Sequence, residues 1–162
     1  MPPSPQKRGD HRGRGIFVVF SVLSVPLWYT LASGWKNVAI KKKSTKDEIR
    51  NWAIQIAQLA HDRHAENILV LDLRECSPVT DYFVIATGTS GRQLAAIADE
   101  AEAIGAKINQ KVWKVAGKEI GDWIVMDFVD VVVHLFTQER RSYYDLELIW
   151  GEAPRVDWET HH

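Results

Sequence analysis

At 162 residues, 46% apolar and 25% charged, the chain is long enough for one domain with a sizeable core. Its single cysteine, Cys76, excludes an internal disulfide, fits a reducing compartment and, without clustered histidines, argues against a zinc site. The net charge of −1 hides a split, because residues 1 to 44 hold eight Lys or Arg against one Asp (+7) and residues 45 to 162 hold twelve against twenty acids (−8); the acidic part is a poor ligand for phosphate backbones and is drawn instead to basic protein surfaces.

Residues 1 to 15 are rich in Pro, Gly, Lys and Arg and read as disordered. Ile16 to Trp35 is a run of twenty residues without a charge, flanked by Arg12 and Arg14 on one side and Lys36 and Lys41 to Lys43 on the other. That length suffices to span a bilayer, although Pro26, three serines and Gly34 weaken the pattern. Three readings stay open: a membrane anchor, a signal or transit segment, and a stretch upstream of the true start, of which the last is favoured. The expected division is therefore an extension over 1–44, a folded domain over 45–156 and a loose tail over 157–162.

Thr45-Lys46-Asp47-Glu48 matches a capping box, and Ile49, Trp52, Ala53, Ile56 and Ala60 recur at helical spacing, which predicts a helix over 45–62. His61 and His64, three residues apart near its end, lack a third ligand and read as solvated. Ile68 to Leu73 and Tyr82 to Thr87 are short apolar runs of strand type, the second reading as covered on both faces. Gly88-Thr89-Ser90-Gly91 then supplies a turn in which Thr89 or Ser90 caps a helix over 92–104, stopped by Gly105. Val112 to Val115 predicts a strand, and Trp123 to Phe128 and Val131 to Phe136 predict a hairpin turning at Val129-Asp130. Thr137 opens a last helix on which Tyr143, Leu146, Glu147 and Trp150 share a face, ended by Gly151 and Pro154. The order implies an α/β (α+β) fold, a five-stranded mixed sheet with flanking helices.

Candidate chemistry is sparse. The glycine turn 88–91 precedes a helix, as in phosphate-binding loops, but neither G-x-x-x-x-G-K-[ST] nor G-x-G-x-x-G is present, so it reads as a tight connection. A nucleotidyltransferase would need paired carboxylates on a strand after such a turn. Asp99 and Glu100 are adjacent on a helix instead, while Asp127 and Asp130 flank a hairpin where exposed acids are ordinary. His134, in V-V-V-H-L-F, lacks a placed nucleophile and reads as a strand histidine on the polar side of the sheet. More distinctive is the mixing of aromatics with acids: Asp81-Tyr82, Asp122-Trp123, Phe128 between Asp127 and Asp130, and Tyr143-Tyr144-Asp145. Tyr and Trp are enriched as interface anchors, whereas Phe83 and Phe128 read as core.

Four blocks in this order resemble the ribosomal silencing factor family, RsfS, also called Iojap or YbeB: T-D-Y-F-V-I-A-T-G-T-S-G-R-Q at 80–93, G-D-W at 121–123, D-V-V-V-H-L-F at 130–136 and Y-D-L-E-L-I-W-G at 144–151. The resemblance runs from about Thr45 to Val156. It implies a protein without catalytic activity, cofactor or metal, and a nucleotidyltransferase-like fold lacking the metal carboxylates. It also implies binding to the large ribosomal subunit through ribosomal protein number fourteen, which blocks joining of the small subunit and represses translation, with organelle relatives acting in ribosome assembly. Glycine is common in such relatives where this chain has Val129, and the family domain has no hydrophobic leader. The expected contact residues are Asp81, Tyr82, Trp123, Asp130, His134, Tyr143, Tyr144 and Asp145. Little or no direct nucleic-acid binding is expected. The expected location is cytoplasmic, or membrane-tethered or organelle-imported if the extension is genuine. A nucleotide-binding or nucleotidyltransferase-like enzyme is the second reading, and a homodimer is left open.

Overall fold

The computed structural model describes residues 45–159, so the extension 1–44 with its uncharged run, and residues 160–162, lie outside the described residues. Five strands form one mixed sheet: β1 (Glu66–Asp72), β2 (Tyr82–Gly88), β3 (Lys114–Ala116), β4 (Trp123–Asp127) and β5 (Val131–Thr137). Their spatial order is β1-β2-β5-β4-β3, with β2 and β5 parallel and every other neighbour antiparallel. The parallel pair lies at the centre and all of β2 is buried, which is why its sequence is a continuous apolar run rather than an alternation.

Helices α1 (Lys46–Asp62) and α2 (Gly91–Lys107) cover one face. The capping box of α1 forms as the sequence predicts, Thr45 Oγ1 accepting from the Glu48 N–H and the Glu48 carboxylate accepting from the Thr45 N–H. Ile49, Trp52, Ala53 and Ile56 of α1 and Leu94, Ile97, Ala98 and Ala101 of α2 pack against Val84, Ala86, Ile124, Met126, Val133 and Leu135. Because side chains alternate along a strand, their neighbours Phe83, Ile85, Val125, Val132, His134 and Phe136 point to the second face, where they too are buried. That face is covered by far less chain: α3 (Gln138–Tyr144), α4 (Leu146–Ile149) and Trp150, whose ring meets Phe83 edge-on at 5.6 Å.

Several boundaries differ from expectation for identifiable reasons. β1 begins two residues early and carries a bulge between Glu66 and Leu69, with Asn67 at φ 49°. Gly105 does not stop α2, which runs on to Lys107; a Cβ there would lie 2.3 Å from the Gln110 carbonyl oxygen, so the glycine serves the returning loop. β3 is displaced to Lys114–Ala116. The single helix expected after Thr137 is two, because Asp145 adopts φ 40° and breaks the run. The tail expected to be loose from 157 is fastened at Trp158, which packs against the core and whose carbonyl accepts from Gln58 Nε2 at 3.2 Å. Just before it, Pro154 O accepts from the Asp72 N–H and the Val156 N–H donates to Val70 O, both at 2.8 Å, so a short strap lines the outer edge of β1.

Candidate partner-binding face

The turn G-D-W places Trp123 at the start of β4, opposite Phe136 of β5. The two rings stack at 5.0 Å between centroids. Tyr144, at the end of α3, lies 4.5 Å from Trp123 and 6.4 Å from Phe136, and Tyr143 meets Tyr144 edge-on at 5.0 Å. Tyr143 is 75% exposed and Asp145 beside it is exposed, whereas Trp123 and Tyr144 are half-buried. These rings form a ladder from the second sheet face outward to solvent. Such an arrangement suits an interface anchor, since the inner rings fix the outer one at little cost in side-chain freedom.

His134 sits beneath the ladder. The Trp123 indole N–H donates to His134 Nδ1 at 3.3 Å, and Phe83 packs on the imidazole at 4.8 Å. An accepting Nδ1 puts the ring proton on Nε2, which is buried and has no hydrogen-bond partner among the described residues. Burial lowers its pKa to about 3, so the ring is neutral at physiological pH. The expectation of a solvent-facing, contact-making histidine is therefore corrected: strand alternation sends His134 to the second face, and Trp123 covers it.

Tyr82 is the other correction. It is fully buried on the α1 side of β2, with the Arg74 guanidinium 5.3 Å from its ring centroid, and cannot meet a partner directly. Asp81 and Asp130 are half-buried neighbours, the Asp81 and Tyr82 N–H groups both donating to Asp130 O. They stand at the opposite end of β5 from Phe136, about 20 Å away at the rise of a strand. The eight expected contact residues are thus not one surface: Trp123, Tyr143, Tyr144 and Asp145 come together, and Asp81 and Asp130 lie apart. Asp127, expected to be an exposed turn carboxylate, is buried; desolvation raises its pKa, while the Val129 N–H at 2.7 Å and nearby Lys114 oppose the shift.

Two exposed side chains had not been expected at this face. Leu148 is 78% exposed and Ile149 is also partly open, on the same two-helix segment as Tyr143. The signal in the sequence is that L-E-L-I-W is apolar on every side of so short a helix, more than one buried face requires.

The glycine turn is explained by packing. The Thr89 N–H donates to Gln93 Oε1, the Gln93 N–H to Ser90 Oγ, and Gln93 Nε2 to the carbonyls of Arg63 and His64 at the end of α1. A Cβ on Gly91 would lie 2.7 Å from the Gly121 carbonyl oxygen, so the loop must be bare to let the G-D-W turn approach. No group of three or more His, Cys, Asp or Glu that could hold a metal occurs among the described residues. Nor is any helix among them long and apolar enough to cross a membrane.

Sheet order, helical cover on one face and an aromatic two-helix segment on the other define a small α/β domain, with Tyr143, Leu148 and Ile149 exposed together on that segment. Residues 46–162 match the family described as ribosomal silencing factor during starvation, and the chain belongs to that family. It is 43% identical over 101 residues to the ribosomal silencing factor RsfS of Bacillus subtilis, covering 62% of this chain and 86% of that protein. A mouse protein named mitochondrial assembly of ribosomal large subunit protein 1 is 33% identical over 98 residues, 59% of this chain and 43% of the other. A crystal structure of a Chromobacterium violaceum protein has a TM-score of 0.60 at 28% identity, covering 73% of this chain and 95% of that one.

Proposed function

We propose that the domain binds the large ribosomal subunit through ribosomal protein number fourteen and, by occupying that surface, prevents the small subunit from joining, repressing translation without a reaction of its own. The observation that carries this reading is membership of a family whose matched relatives are named ribosomal silencing factors, joined to an exposed aromatic ladder on the thinly covered sheet face. Residues 45–162 carry −8, which steers the domain toward a basic ribosomal protein rather than toward RNA phosphates. Trp123, Tyr143, Tyr144, Asp145 and Leu148 make the contact; Tyr82 and His134 support the fold behind it. The protein acts in the cytoplasm on this reading.

The test is co-sedimentation of the full chain with isolated large subunits and with joined ribosomes across a salt series. Binding to the isolated particle alone, weakening as salt rises, is expected. Replacing Trp123 or Tyr144 by Ala should cost about 2 kcal/mol of binding if each is an anchor. Equal binding to joined ribosomes, or unchanged affinity in folded variants, would remove the reading.

A further inference from the structure

The segment that carries Tyr143 and Leu148 is poorly fastened by ordinary means. α3 has seven residues, none of them buried, and its N-cap Thr137 makes no side-chain cap hydrogen bond. A helix of that length has no independent stability, so its orientation must come from the sheet beneath. Three side chains of α3 carry it: Tyr144, whose ring lies on Trp123; Arg140, whose exposed Nε donates to Asp122 Oδ2 at 2.6 Å in the G-D-W turn; and Arg141, whose side chain is only 11% exposed although it lies on a surface helix.

The Arg141 guanidinium engages three other elements. Nε donates to Glu147 Oε1 of α4 at 2.7 Å, and Nη2 pairs with the same carboxylate. Nη1 donates to the Asn67 carbonyl of β1 and to Thr87 Oγ1 of β2 at 2.8 Å. The Asn67 carbonyl is offered at the bulge, where Asn67 has φ 49°, and Thr87 is buried at the end of β2. Glu147 lies beyond the Asp145 break, so one side chain spans the joint between the two short helices and ties it to the edge strand β1 and its neighbour β2.

We infer that Arg141 is a positioning residue for the partner-binding face: its guanidinium locks α3 and α4 together and onto β1 and β2, and so fixes where Tyr143, Tyr144 and Leu148 stand without touching the partner. The inference rests on the proposed binding face for its functional consequence. A lysine cannot replace it, since an ammonium has no planar fork to serve a carboxylate, a hydroxyl and a carbonyl in three fixed directions.

The test uses the full chain with Arg141→Lys and Glu147→Gln, the second keeping the bonds to Asn67 and Thr87, and Arg63→Met as a control that removes an exposed ion pair to Glu100 between α1 and α2, the helices of the other sheet face. Two readouts are taken well below each variant's melting temperature: affinity for isolated large subunits, and the indole N–H cross-peak of Trp123 with that of buried Trp52 as reference. Arg141→Lys is expected to move the Trp123 signal, leave Trp52 in place and weaken binding about tenfold, with Glu147→Gln intermediate and Arg63→Met unchanged in both. A Trp123 signal unmoved in a folded Arg141→Lys chain overturns the inference, as does affinity lost no more than in Arg63→Met. If the unsubstituted chain does not bind large subunits, the functional proposal fails instead, and the Trp123 signal alone decides whether Arg141 seats the segment.

Discussion

At the scale of single residues, two buried ionisable groups oppose one another in their response to acid. Burial lowers the pKa of His134 to about 3 in the folded chain, against an ordinary value near 6.5 when unfolded. The unfolded chain therefore binds the extra proton between those values, and stability falls as pH drops through that window, by up to about 1.4 kcal/mol per pH unit for one proton. Asp127 shifts upward by desolvation, so its charge opposes folding at neutral pH and that opposition is relieved as pH falls through its folded value. Denaturant unfolding at pH 7, 6 and 5 should show falling stability in the natural chain and a flatter profile in His134→Leu. An equal slope in both would show that some other group carries it.

Val129 is a second residue-scale feature. It holds φ 77°, and the Asp130 N–H donates back to Phe128 O at 3.1 Å, the pattern of a γ-turn that β-branched side chains resist. The family resemblance implies glycine at this position. Val129→Gly should raise stability by about 1 kcal/mol, the relief of strain exceeding the added chain entropy. A lower melting temperature would mean that Val129 contributes more by packing than its backbone costs.

At the scale of elements, the parts most legible in the sequence were those whose local chemistry and burial agree. The capping box and apolar stripe of α1 fix its start and its buried face, and the unbroken run of β2 announces a central strand. Where tertiary contacts decide, the sequence is a weaker guide. Whether a strand residue such as Tyr82 or His134 faces solvent depends on how much chain lies over each face, which periodicity does not record. The break at Asp145 depends on a left-handed residue that Asp tolerates but does not announce. The strap over β1 was invisible for the same reason, since its value lies in pairing with a distant edge.

That strap supports an element-scale prediction. A long open edge invites pairing with another chain, and Pro154 to Val156 line the edge of β1. Ending the chain after Ala153 should lower stability by about 1–2 kcal/mol through the lost burial of Val156 and Trp158. It should also produce concentration-dependent self-association in sedimentation velocity. A monodisperse truncated chain at every concentration would show that β1 needs no such cover.

At the scale of the whole molecule, the sheet divides the labour between its faces. One face is held by two long helices and most of the core, which makes the domain a rigid platform. The other carries two short helices, an aromatic ladder and an arginine lock, and on the proposed reading it meets the ribosome. On that proposed reading platform and face need no catalytic group, since bulk at the joining surface is sufficient to inhibit. The candidate site was legible in part: the aromatic–acid clustering pointed to Trp123, Tyr143, Tyr144 and Asp145, and the apolar run L-E-L-I-W carries a signal for Leu148, whereas Arg141 emerges only from the packing of α3 and α4.

The most direct measurement places a photo-activated cross-linking amino acid at position 143, the exposed end of the ladder, and identifies what it captures when the full chain is mixed with isolated large subunits. The account predicts a dominant cross-link to ribosomal protein number fourteen, lost when the small subunit is already joined. Capture chiefly of ribosomal RNA, or no capture while the same probe at Ile120, exposed on the turn before β4, cross-links efficiently, would contradict it.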